Sequence, residues 1–198
     1  MTSMMVLLVP LLTAAEPPKA DDTITIDKKG HVAFFGGDWR VMRTRAEVLL
    51  DIDPNPQGTA GPMKARTRLI LNPFTAKRLQ GALQMTNQRH EAVFGAVEVP
   101  KEKLPKDQGT IDPGLAVVYA NFCRVTATPE EVFLDFALNE DPFGAGPKVI
   151  TIERRVIFTP LGGKMLLADL TKVLAGYESE FGVIELDVRK RVKQPPDR

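Results

Sequence analysis

A chain of 198 residues with 43% hydrophobic content can bury a real core, either as one domain or as two small ones. Its 26 Lys+Arg balance 25 Asp+Glu to a formal net charge of +1, so it shows no global field that would draw it to nucleic acid or an anionic membrane. The lone cysteine, Cys123, excludes an intramolecular disulfide, and with two histidines it cannot complete a typical structural zinc site.

The first element in the chain is an apolar run, Met4 to Leu12, followed by Thr13-Ala14-Ala15 and the polar Glu16-Pro17-Pro18-Lys19. A short apolar core ending in small residues reads as a secretory signal cleaved after Ala15, although Met1-Thr2-Ser3 supplies no lysine or arginine. Export to the periplasm or the exterior is the expectation, with a leader on a cytoplasmic protein the alternative. The run is too short to span a bilayer as a helix, and no other stretch could cross one.

The remainder of the chain is a duplication. Gly30 to Asp51 overlays Gly114 to Asp135 without a gap, and after a loop that differs in length Arg68 to Glu98 overlays Arg155 to Glu185. Identical pairs include Arg40/Arg124, Glu47/Glu131, Asp51/Asp135, Lys77/Lys164, Leu83/Leu170, Glu91/Glu178 and Gly95/Gly182. A repeat on this scale fixes the organisation. Residues 16–29 read as a leader, 30–99 as the first copy, 100–113 as a Lys/Pro/Gly-rich linker, 114–188 as the second copy and 189–198 as a basic tail.

Each copy reads as strand, strand, strand, helix. In the second copy Cys123, Val125, Val132, Leu134 and Phe136 alternate with Arg124, Thr126, Glu131, Phe133 and Asp135 across a hairpin turned at Thr128-Pro129-Glu130. That puts Cys123 on the apolar face, as a buried small side chain and not a reactive thiol. Gly36-Gly37 is read as a bulge in the first long strand, with Ala120-Asn121 in its place in the second copy. Loops at 53–58 and 139–144 precede third strands at Met63–Leu71 and Val149–Phe158, the latter with Ile150, Ile152, Val156 and Phe158 inward.

The helices are marked by their ends: Asn72-Pro73 and Thr159-Pro160 place a capping side chain before a first-turn proline, and Gly95 and Gly182 come after the last turn. Leu79, Leu83, Thr86, His90 and Phe94, with Leu166, Leu170, Val173, Tyr177 and Phe181, recur at helical spacing as a stripe aimed at the sheet. The expected fold is therefore α+β: two β-β-β-α repeats, antiparallel sheets each packed by one long C-terminal helix, related by a pseudo-two-fold axis.

Two runs bear on kinship. Tyr119-Ala120-Asn121-Phe122-Cys123-Arg124-Val125 with Pro129 to Phe136 is one, and Arg155-Val156-Ile157, Thr159-Pro160, Lys164, Leu166, Leu170, Tyr177-Glu178 and Phe181-Gly182 is the other. Together they resemble the prokaryotic domain of unknown function 3467, best over Tyr119 to Ile184. The first copy departs from it at Trp39 and at His90, which stands in place of the tyrosine. The resemblance implies no activity, cofactor or catalytic residue, and a tandem arrangement implies a fused dimer of a single unit.

The shared charged residues Arg40, Glu47, Asp51 and Arg68, with Arg124, Glu131, Asp135 and Arg155, are expected on the face opposite the apolar one. As a solvated cross-strand ladder each pair would be worth a few tenths to about 1 kcal/mol. As a site they form a candidate partner surface. They do not suit paired-carboxylate catalysis, because Glu47/Asp51 and Glu131/Asp135 lie about 13 Å apart at strand rise. Lys77 and Lys164 recur in early helical turns, as a salt bridge or a partner contact. No nucleotide loop, nucleophile elbow, metal-spaced His/Glu pair or Cys/His arrangement is present.

The expectation is a non-catalytic protein without cofactors that docks a protein partner or itself. The alternative is single-stranded nucleic-acid binding. Its candidate contacts are Lys64, Arg66 and Arg68, and its layout is similar in outline to the Whirly and purine-rich-element-binding proteins without their motifs.

Overall fold

The computed structural model describes residues 24–54, 63–100, 109–140 and 148–191. The signal reading at 1–15 and most residues of the two expected loops lie outside them. In chain order the elements are β1 (Ile24–Asp27), β2 (Val32–Phe35), β3 (Asp38–Arg43), β4 (Val48–Asp53), β5 (Lys64–Leu71), α1 (Pro73–Phe94), β6 (Thr110–Ala120), β7 (Phe122–Ala127), β8 (Val132–Ala137), β9 (Lys148–Thr151), β10 (Arg154–Phe158), α2 (Pro160–Phe181) and α3 (Val188–Arg191). The fold is α+β, with two repeated units in which a long helix follows a set of strands.

Both helix starts form as their sequences dictate. The Asn72 side chain accepts from the Thr75 amide at 2.8 Å, and the Thr159 hydroxyl accepts from Gly162 at 3.1 Å. Both helices end at glycines with φ of 96° and 94°, a region other residues avoid. The buried stripe is shorter than the spacing implied. Leu79, Leu83, His90, Leu166 and Leu170 are buried, but Phe94 and Phe181 are exposed, and Asn87 and Leu174 supply the inner contacts instead.

The sheets differ from the expectation in one decisive respect. Strands β3, β4 and β5 form an antiparallel meander of the first copy, and β7, β8 and β10 its counterpart in the second. The fourth strand of each sheet comes from the other copy and lies parallel. β6 pairs with β5 in the register Thr67↔Ala116 to Ile70↔Tyr119, and β2 pairs with β10 in the register Arg154↔Val32 to Ile157↔Phe35. Under the duplication these registers are the same, so the exchange is reciprocal.

The Gly36-Gly37 feature is therefore not a bulge in one strand. It is the point where the chain leaves one sheet for the other, as corner strands do. Gly36 donates to Ile157 O at 2.8 Å, and Gly37 donates to Asp53 O at 2.9 Å on the opposite sheet. A Cβ on Gly36 would overlap the Phe158 ring, which is why glycine stands there. In the second copy Asn121 makes the transfer. Its amide bonds Ala137 O at 3.2 Å, and its side chain exchanges hydrogen bonds of 2.8 and 2.6 Å with the Asn139 backbone.

The expected third strand at Val149–Phe158 is likewise two strands. β9 pairs in parallel with β1, which lies inside the stretch read as a leader. The inward residues are as expected, since Ile150, Ile152, Val156 and Phe158 are all buried. Strand β6 begins within the stretch read as linker, and α3 reaches into the tail.

The helices reinforce the exchange. α1 packs on β7 of the second copy, α2 on β3 of the first, and the two helices on each other. The main apolar cluster takes in Trp39, Leu50 and Leu83 together with Leu134, Phe158 and Leu170, so the copies share it, and Ala137, Ile150 and Ile152 form a smaller one.

Candidate functional site

The shared charged residues fall into two equivalent rows, each crossing its sheet at right angles to the strands. Arg40, Asp51 and Arg68 are direct neighbours on β3, β4 and β5, and Arg124, Asp135 and Arg155 on β7, β8 and β10. Each aspartate is clamped between its two arginines. Asp51 accepts from Arg68 at 2.6 and 2.8 Å and from Arg40 at 2.8 Å. Asp135 accepts from Arg155 at 2.7 and 2.9 Å and from Arg124 at 2.5 and 3.1 Å.

Both carboxylates are 0% exposed, which corrects the expectation of a solvated ladder. The four arginines that bond them are themselves only 16–31% exposed. Burial pushes each carboxyl up, but the hydrogen bonds and charges of the arginine pair outweigh it and hold both below the ordinary carboxylate value. The same bonds raise Arg68 and Arg155. Glu47 and Glu131 are not in these rows. They close the hairpin turns, where Thr44 N bonds Glu47 O and Thr128 N bonds Glu131 O, each at 2.8 Å.

The recurrent lysines meet the recurrent glutamates across the pseudo-two-fold axis. Lys77 at the start of α1 bonds Glu178 near the end of α2 at 2.9 Å, and Lys164 bonds Glu91 at 2.6 Å, so the helices run antiparallel. Each glutamate also accepts a backbone amide beyond its own helix, Val97 for Glu91 and Ile184 for Glu178. Lys164 leads in holding Glu91 below its ordinary value; for Glu178 burial pushes up, and Lys77 and the Ile184 amide outweigh it. His90 and Tyr177 are equivalent as well: His90 Nε2 bonds Pro129 O at 2.9 Å, and the Tyr177 hydroxyl donates to Arg45 O at 3.0 Å.

The candidate nucleic-acid contacts already have carboxylate neighbours. Lys64 lies 3.0 Å and Arg66 3.9 Å from Asp112, and Arg68 is committed to Asp51. Cys123 is half-buried, and burial pushes its thiol up to about 11, which removes thiolate character at neutral pH. Among the described residues no cluster of three or more His, Cys, Asp or Glu side chains is placed to hold a metal, and no helix is long and apolar enough to cross a membrane.

Beside each charged row runs a largely apolar one, in which alternation within a single copy places Phe133 but not the members from the exchanged strands. Met42, Leu49, Ile70 and Tyr119 are direct neighbours on one sheet, and Thr126, Phe133, Ile157 and Phe35 on the other. The exchanged strands provide the exposed ends of these rows, Tyr119 at 46% and Phe35 at 60%, and Val117, which stands beside Arg68, is 57% exposed. Arg155 lies over the Phe133 ring at 5.1 Å. The available signal was that Val117-Val118-Tyr119-Ala120 is apolar on both faces, so that burying Val118 and Ala120 leaves Val117 and Tyr119 outward.

The model of the family described as "Protein of unknown function (DUF3467)" matches residues 15–99 and again residues 100–186. The chain belongs to the DUF3467 family. It carries two DUF3467 domains in tandem, and the strand exchange shows how two such domains complete each other. No curated protein and no solved structure matches the chain.

Proposed function

We propose that this tandem DUF3467 chain is a non-catalytic protein-interaction module, built as a fused dimer whose outward sheet faces dock a protein partner. The observation that supports this best is the pair of equivalent apolar rows ending in the exposed Phe35 and Tyr119. Contiguous outward apolar surface beside charge is the usual mark of an interaction site. The buried Arg-Asp-Arg clamps make these faces rigid, which lowers the entropy lost on docking. Export with cleavage after Ala15 belongs to the same proposal. A mature N-terminus at Glu16 in the native host supports it, and an intact Thr2 on a cytoplasmic pool contradicts it.

The test is chemical cross-linking in the native host, comparing the wild type with Phe35→Ser/Tyr119→Ser at matched thermal stability. Partners recovered by the wild type and lost by the variant support the reading. Partners recovered equally by both contradict it.

One observation favours the nucleic-acid reading instead: Phe35, Tyr119 and Phe133 lie on the same faces as Arg68 and Arg155, an arrangement on which bases can stack. Fluorescence anisotropy with short single-stranded DNA at two salt concentrations separates the two. The interaction reading expects no saturable binding at physiological salt. Tight, salt-sensitive binding lost in Lys64→Ala/Arg66→Ala/Tyr119→Ala overturns it. Arg68 is left intact in that variant because it holds Asp51.

A further inference from the structure

The two halves differ at one place that the duplication would make alike. Where β2 passes into β3, a cleft of about 460 Å³ opens between the corner and the first turns of α2, lined by Phe35, Gly37, Trp39, Ile157, Leu161 and Met165. Its size suits one large side chain or a small ligand. The equivalent place on the other half is built from different residues. Asn121 stands for Gly37 and is tied to Asn139, and Thr75 stands for Gly162 and donates to Asn121 O at 3.2 Å. Phe74 stands for Leu161, and Arg191 of α3 lies over its ring at 4.2 Å. At this twin position the group that covers the Phe74 ring is Arg191, from the chain's own segment after α2.

The cleft is also continuous with an outward face. Phe35 and Ile157, which end the row that includes Phe133, line its mouth. A peptide lying along that row would bring one side chain to the opening. Trp39 is set firmly at the rear, its indole N–H donating to Asp169 at 3.0 Å and its ring edge-on to Phe158 at 5.3 Å.

We infer that this cleft is the anchor pocket for one large apolar side chain of a partner's extended peptide segment, which covers it as Arg191 of the chain's own tail covers the Phe74 ring of the twin. This rests on the interaction reading and gives it an address. It also makes the fused dimer asymmetric, with one anchor site per chain and not two.

The probe is a displayed library of random twelve-residue peptides, selected on the full chain and counter-selected on two variants that carry residues of the twin, Gly37→Asn and Leu161→Phe/Met165→Arg. Thermal melts of both variants accompany the selection. Because Trp39 is the only tryptophan, its emission reports occupancy directly when the synthetic peptides lack tryptophan. The expected result is enriched peptides sharing one Phe, Leu or Met position, binding with one-to-one stoichiometry, shifting Trp39 emission and binding at least tenfold more weakly to a folded variant. Replacing the shared residue by alanine should abolish the shift.

Peptides that bind wild type and variants equally overturn the pocket. Peptides that lose binding in Tyr119→Ser/Phe133→Ser but not in the cleft variants overturn it while leaving the interaction reading in place. No enrichment, together with saturable DNA binding, overturns both. Concentration-dependent dimerisation abolished by the cleft variants would make a second copy the occupant and overturn the partner peptide.

Discussion

The surfaces where the two copies meet each other and the corners where they face outward have diverged to different degrees. At the meeting surface Lys77, Glu91, Lys164 and Glu178 are two identical pairs, each lysine serving the other copy's glutamate. The clamped aspartates are identical too. One corner has Gly36-Gly37, Trp39 and Leu161 around a cleft, and its counterpart has Ala120-Asn121, Cys123 and Phe74, with Asn121 bonded to Asn139 and Arg191 over the Phe74 ring. The ion pairs between the helices and the clamps on the sheets are identical in the two copies, and the two outward corners carry different residues.

The clamps should give the largest effects. Asp51→Ala and Asp135→Ala each leave two partly buried arginines facing each other without a carboxylate. Breaking a buried pair in this way costs about 3–5 kcal/mol, and the two variants should cost alike. Urea unfolding followed by circular dichroism checks this. A loss in one copy several-fold smaller than in the other would break the equivalence.

Core truncation comes next. Leu83→Ala and Leu170→Ala, both at fully buried positions, should each cost about 2–5 kcal/mol. Because the core is shared, either should lower one common transition in calorimetry and leave no residual unfolding step of the untouched copy.

Acid should act through the same clamps. A carboxyl whose folded value is depressed adds stability that is whole above its unfolded value and is lost as pH falls through the folded one. Asp51 and Asp135 are held below 3.8. The melting temperature should therefore hold steady down to about pH 4 and fall below it. The Asp135→Asn variant should begin lower and show a shallower acid limb.

The helix-to-helix ion pairs should give the smallest effect. They are about a quarter exposed, and a double-mutant cycle on Lys77→Ala and Glu178→Ala should show coupling of about 0.5 kcal/mol that shrinks in high salt. Tyr177→Phe, which removes the bond to Arg45 O, should cost about 1 kcal/mol.

Most local structure was legible because its causes are local. Capping residues, first-turn prolines and terminal glycines located both helices, and period-two alternation located the hairpins. Pairing of β2 with β10 and of β6 with β5 was not legible, because the partner of an edge strand is set by tertiary packing and leaves no mark in its own residues. The buried state of Asp51 and Asp135 was missed for a related reason. Alternation placed them opposite the core, but only the flanking strands reveal that each is bonded by an arginine from either side. Phe35 and Tyr119 gain their significance only once they stand at the ends of the other copy's rows.

Strand exchange is the central claim, and cutting the chain tests it most directly. A protease site placed between Lys101 and Gln108 would allow the purified folded protein to be nicked between the copies. The expected result is that both fragments migrate together at the mass of the intact chain, with Trp39 emission unchanged, and that neither fragment alone folds as a monomer. Two fragments that separate under native conditions, each unfolding cooperatively as a monomer, would contradict it.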